Sequence, residues 1–152
     1  MKKLLLAALL TFTGAANATN PKAPNFSLRD IKGDLYELSE HHGEIIVINF
    51  WATWCGPCLI ELPHLDAIDK NYEDKGVDVV VISVDAARAM SKAKSYIKAR
   101  KYGFTALFDT DTNVVSQYNP AKTLPFTLIL DRELRIVPVS YTHLTLPTIY
   151  SV

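Results

Sequence analysis

NFWATWCGPCLIELP, residues 49–63, contains both cysteines of the chain, Cys55 and Cys58, two residues apart behind two tryptophans. Two cysteines so placed can be a redox couple, half of a metal site or a covalent staple. The flanks give the local structure. Residues 44–51, EIIVINFW, form a continuous apolar, β-branched run, as expected for a strand buried on both faces. From Pro57 to about Lys75, Leu59, Leu62, Leu65 and Ile68 recur at helical spacing, with Pro63 expected to kink the helix. The motif therefore leaves a strand and opens a helix. Unpaired N–H groups and the partial positive charge of a helix start favour a thiolate there. Moving a thiol pKa from about 8.5 to about 7 corresponds to roughly 2 kcal/mol. Cys55, nearer the helix start, is the expected nucleophile, and Cys58, one turn further in, the resolving thiol.

The other readings are weaker. A closed zinc site needs four ligands, and the sequence has no second C-x-x-C. His41, His42 and His64 read as solvated side chains, so no metal is expected. A domain of this length buries a core without staples, and cysteines this close would close only a tiny loop.

The two ends read differently from the middle. Residues 1–18, MKKLLLAALLTFTGAANA, have a basic start at Lys2 and Lys3, a short apolar run and a small-x-small finish at Ala16-Asn17-Ala18. This is the pattern of a secretory signal peptide, too short for the roughly 20 apolar residues of a membrane span. An uncleaved anchor is the other reading. Residues 139–148, VSYTHLTLPT, resemble a translated sequencing-adapter end, so residues 139–152 are set aside as a non-native tail and one domain is expected over 19–138. Without Lys2 and Lys3, 14 lysines and arginines face 16 aspartates and glutamates. No basic stripe is present to bind phosphates, and nucleic acid is not an expected partner.

Between the ends, residues 26–38 alternate around Lys32-Gly33-Asp34 as a small hairpin, and 77–84, VDVVVISV, form a second buried strand. Residues 87–103 read as a helix closed by Gly103. Short elements follow at ALFD and TNVVSQY, and PFTLILD and RIV flank a turn at 131–133. Strands alternating with helices imply an α/β domain, with a central mixed sheet flanked by helices.

VINFWATWCGPC, with ELP after the second cysteine, resembles the active-site strand and motif of the thioredoxin superfamily. It is most similar to the TlpA/ResA/CcmG group of extracytoplasmic thiol–disulfide oxidoreductases, over roughly 24–137. The resemblance implies a thioredoxin-like fold, in which the last covering helix is missing here. It also implies a Cys55–Cys58 dithiol/disulfide couple and a cis-proline facing it, a place filled by Pro125. Leu124 would then pair its backbone with an extended substrate beside Trp54, Gly56 and Pro57. Cytoplasmic thioredoxins have a buried aspartate where this chain has Asn49. The extracytoplasmic group instead has a glutamate at the position of Glu61, three residues past Cys58 on the same helix face, where it could relay a proton. Trp51 and Trp54 are expected to pack around the site.

Gly-Pro between the cysteines implies a reductant, since a thioredoxin-type couple lies near −270 mV and a strong oxidant near −120 mV. The implied setting is the periplasm, with no cofactor and an expected monomer. The implied partners are a membrane electron donor of the DsbD or CcdA kind and oxidised protein clients such as apocytochrome c. The alternative of another class is a thioredoxin-fold metal- or client-binding chaperone without redox turnover.

Overall fold

The computed structural model describes residues 20–138. The signal segment and the 139–152 tail therefore lie outside the described residues. Among the described residues, seven strands and three α-helices follow in the order β1 (Ser27–Arg29), β2 (Leu35–Glu37), β3 (Ile45–Trp51), α1 (Gly56–Tyr72), β4 (Val77–Ser83), α2 (Met90–Arg100), β5 (Thr105–Phe108), α3 (Asn113–Tyr118), β6 (Phe126–Leu130) and β7 (Ile136–Val137). β1 and β2 form the expected antiparallel hairpin. The other five strands make one sheet in the order β5-β4-β3-β6-β7. β3–β4 and β4–β5 are parallel, while β3–β6 and β6–β7 are antiparallel. A central mixed sheet is thus observed.

The continuous apolar runs are explained by this position. β3 and β4 are interior strands, so residues on both of their faces are covered. Val47, Trp51, Val79 and Val81 pack with Leu62 and Leu65 of α1 and Ala93 and Ile97 of α2. Ile46, Ile48, Phe50, Val80 and Ile82 face the other way, toward Phe26 and Tyr36 of the hairpin region and Val114 and Val115 of α3. Helices therefore cover both faces of the sheet.

Local readings are refined at two helices. Helix α1 continues through Pro63 as one element. Its buried stripe is Cys58, Leu62, Leu65, Asp66 and Asp69, while Leu59 is only partly buried and Ile68 is exposed. Asp66 can take a core-facing position because it receives the Gly103 N–H (2.7 Å) and an ion pair from Lys70. Helix α2 is closed by Lys101, in the left-handed region at φ 55°, and not by Gly103. Gly103 has a different duty. A Cβ there would lie 3.2 Å from Oδ2 of Asp69, so glycine lets this loop approach α1.

Candidate active site

β3 and β4 run parallel and end together, with Trp51 beside Ser83. The crevice at the carboxyl ends of parallel strands is where α/β folds place their chemistry, and the segment 52–55 crosses it from β3 into α1. Asp85, 2% exposed, anchors this segment. Its carboxylate accepts from the Thr53 backbone N–H (2.9 Å), the Thr53 hydroxyl (2.8 Å) and the Ser83 hydroxyl (2.9 Å). The Val84 N–H also donates to the Trp51 carbonyl at 2.9 Å, which ties the two strand ends together.

Cys55 is the N-cap of α1, with extended backbone, and its Sγ accepts from the Cys58 N–H at 3.3 Å. The first turn carries no acidic residue, and Pro57 occupies an early position whose missing N–H costs no helix bond. Cys55 and Cys58 are joined by a disulfide. Cys55 is 6% exposed and Cys58 1%, the order expected of an attacking and a resolving sulfur.

The neighbours fall into place unevenly. Gly56 and Pro57 are exposed at the helix start. The Leu124–Pro125 peptide bond is cis. Phe126 pairs with Phe50, so Pro125 lies level with the end of β3. Leu124 is partly buried and packs against the apolar cluster that includes Cys55 and Cys58. The two tryptophans differ. Trp54 is 70% exposed, whereas Trp51 is a core residue with its ring centroid 5.8 Å from that of Tyr96.

Glu61 is not a freely solvated side chain. Asn49 Nδ2 donates to its Oε2 at 3.0 Å and to the Thr127 hydroxyl at 2.9 Å, while that hydroxyl lies 3.4 Å from Glu61 Oε1. Asn49 and Thr127 are direct cross-strand partners of β3 and β6. The register of two strands thus fixes a carboxylate one helical turn beyond Cys58. The buried Asn49 Oδ1 and Trp51 Nε1 have no protein partner among the described residues.

Sequence reading missed Asp85, whose partner Thr53 lies 32 positions away. An aspartate just after a strand reads locally as a turn residue. The usable signal was its place at the carboxyl end of a parallel strand next to the motif strand.

Residues 19–139 match the profile of the AhpC/TSA family. The thiol-disulfide oxidoreductase ResA of Bacillus subtilis (strain 168) is 33% identical over 117 residues, covering 77% of this chain and 64% of that protein. ResA of Bacillus cereus is 31% identical over 116 residues, 76% of this chain and 65% of the relative. The chain thus spans less than two thirds of these relatives. Among solved structures, the thioredoxin domain of a thiol-disulfide oxidoreductase from Bacteroides vulgatus superposes with a TM-score of 0.70 at 27% identity, covering 79% of this chain and 86% of that one. The exposed lipoprotein thioredoxin of Streptococcus pneumoniae strain TIGR4 gives 0.64 at 26%, covering 76% and 87%. The fold is thioredoxin-like.

Proposed function

The chain belongs to the AhpC/TSA family, and from that premise we propose that it is an extracytoplasmic thiol–disulfide oxidoreductase that reduces protein disulfides. The observation that carries this reading is Cys55 Sγ at the start of α1, hydrogen-bonded to the Cys58 N–H and bonded to the Cys58 sulfur. The named activity of the ResA relatives supports it.

In the dithiol form, the Cys55 thiolate is stabilised by the same N–H and by the helix start. It attacks one sulfur of a client disulfide, forming a mixed disulfide. The other client sulfur leaves as a thiolate and takes a proton. Cys58 then loses its proton and attacks Cys55 Sγ. The second client thiolate leaves and the Cys55–Cys58 disulfide forms, so two electrons have passed to the client. Glu61, held by Asn49 and Thr127, is the acceptor for the Cys58 proton in this scheme.

Leu124 and Pro125 offer the client an extended backbone edge, with Trp54, Gly56 and Pro57 as its exposed border. The signal-like start and the exposed lipoprotein neighbour support an extracytoplasmic site of action. In that oxidising setting, electrons come from a membrane donor of the DsbD or CcdA kind, and apocytochrome c is a fitting client. Equilibration of the Cys55–Cys58 couple against glutathione and dithiothreitol buffers, read by alkylation, tests the direction. A two-electron couple near the thioredoxin value of about −270 mV is expected. A couple near −120 mV would make the protein an oxidant instead.

A further inference from the structure

A second cluster of chemistry-bearing side chains lies at the other end of the sheet, where nothing in the redox reading uses it. Asp78 sits opposite Ile46 at the start of β3 and β4, five strand residues, or roughly 16 Å, from Trp51 at the motif end. A ring nitrogen of His41, a carboxylate oxygen of Glu44 and one of Asp78 all lie within 4.8 Å of one another. His41 Nδ1 and Glu44 Oε2 are 3.1 Å apart. Two donors on a tetrahedral ion with bonds of 2.0–2.2 Å sit about 3.3 Å apart, so the His41–Glu44 pair already stands near that spacing and Asp78 needs to close in on it.

The surroundings hold the donors in place. Tyr36 stacks on the His41 ring, with centroids 4.1 Å apart and planes at 14°. The Tyr36 hydroxyl donates to Asp78 Oδ2 at 3.4 Å. One tyrosine therefore orients two of the three donors, the duty that outer-shell groups perform around metal ligands. Gly76, in the left-handed region at φ 77°, turns the chain into β4, and its carbonyl receives the Ile45 N–H at 2.9 Å. This ties the 41–44 segment to Asp78 through the backbone.

The cluster opens into a cleft of about 350 Å³ whose lining adds Asp69 and Glu73. Four carboxylates and one imidazole line it, and no lysine or arginine is among the lining residues. Arg132 and Lys70 approach the rim at Gly76 and Gly103, but Lys70 is paired with Asp66 outside the lining, and four carboxylates on one concave surface still attract cations.

We propose that His41, Glu44 and Asp78 form a binding site for a divalent first-row metal ion of the zinc class, with solvent completing the coordination. One imidazole and two carboxylates suit zinc and exclude a soft, thiolate-selected ion. The bound ion clamps the 41–44 turn onto the start of β4, at the end of the sheet away from the cysteines.

The test uses the full chain with its disulfide intact, so that no thiol competes for metal. Zn²⁺ is titrated by calorimetry, and Co²⁺ serves as an absorbing reporter of coordination. One ion per chain is expected, with a visible Co²⁺ spectrum and a Zn²⁺-dependent rise in Tm. His41→Ala and Glu44→Gln should each abolish the one-to-one uptake. Tyr36→Phe keeps the ring stack and removes only the hydroxyl, and should weaken Zn²⁺ binding by about tenfold or more. No uptake by the wild-type protein overturns the site, as does uptake unchanged in Glu44→Gln and Tyr36→Phe. The latter result would assign binding to His42, His64 or His143.

Discussion

Asn49 on β3 donates its side-chain N–H to the Glu61 carboxylate on α1 at 3.0 Å. The link joins the strand that leads into the C-x-x-C motif to the helix that carries Cys58. An amide in this place cannot accept the Cys58 proton, but it holds the carboxylate to which that role is assigned in the proposed scheme. Glu61→Gln should therefore leave the fold intact, since glutamine keeps one acceptor for the Asn49 N–H. It should change the pH profile of Cys58 alkylation in the reduced protein and slow disulfide exchange, general acid–base groups being worth about 10²–10⁴. Unchanged pH profiles for both measurements would reduce Glu61 to a structural partner of Asn49.

Placing a second carboxylate beside Glu61 tests the same contact from the strand side. In Asn49→Asp, a carboxylate at a buried position stands against that of Glu61, and one of the two must hold a proton to higher pH. The raised native pKa makes the stability contribution of that proton greatest at low pH and lost as pH rises through the native value. The variant should therefore fall further below wild type between about pH 5 and pH 8 in urea denaturation. A pH-independent gap would mean that the two side chains separate.

Asp85 holds the approach to Cys55 by three hydrogen bonds from Thr53 and Ser83. Bonds to a charged acceptor are worth about 1.5–3 kcal/mol each, and Asp85→Ala leaves buried donors without it. A loss of roughly 3 kcal/mol is expected, lowering Tm by about 10 °C in a domain of this size. The released loop should also present Cys55 less uniformly and slow its exchange. A variant with wild-type Tm would show that the loop is held by other contacts.

These residues also show what the sequence made legible. β3 and β4 were readable because interior strands carry apolar side chains on both faces, and the motif marked the strand-to-helix junction between them. Glu61 could be assigned to the turn of α1 after Cys58 because three residues along a helix return to nearly one face. Its Asn49 and Thr127 partners were not foreseeable, since Thr127 arrives through an antiparallel pairing 78 positions away. The end of α2 was misassigned because glycine is the usual left-handed cap, whereas here Lys101 takes that conformation. How far Trp54 is covered was not legible either. Its spacing from Trp51 says nothing about which side of the 52–55 crossing it occupies, and at 70% exposure it faces solvent.

That exposure separates binding from stability. Trp54→Ala removes almost no buried contact, so stability should change by no more than about 0.5 kcal/mol. Exchange with a folded or extended protein disulfide should slow, while exchange with glutathione should not. Equal rates for wild type and variant on protein clients would remove Trp54 from the client surface.

The order of attack gives a qualitative test. Cys58→Ser leaves Cys55 at the helix start but removes the sulfur that resolves the adduct, so mixed disulfides with client proteins should accumulate. Cys55→Ser leaves only Cys58, 1% exposed, and should trap few. Accumulation in the Cys55→Ser protein would reverse the two roles.

Asp109 offers a test of the fold alone. It follows β5, is fully buried, and accepts the N–H groups of Val114 (3.2 Å) and Val115 (2.8 Å) at the start of α3. Burial pushes its carboxyl above the usual range, opposed by those two N–H bonds. The native state then holds a proton that the unfolded chain, with a value near 3.9, releases. Stability from this proton is fully present below about pH 3.9 and is lost as pH rises through the native value. The neighbouring Asp111 is shifted down, chiefly by the Asn113 N–H, which a change at 109 leaves in place. In Asp109→Asn the titrating group is gone, and an amide N–H₂ meets one of the two helix N–H donors. The variant should lose about 1–2 kcal/mol from the weakened cap. Its deficit relative to wild type should be largest near pH 4 and shrink toward pH 7, measured by urea denaturation at each pH. A deficit that is constant with pH, or that grows toward neutrality, would show that Asp109 is ionised throughout the range and acts as an ordinary charged cap.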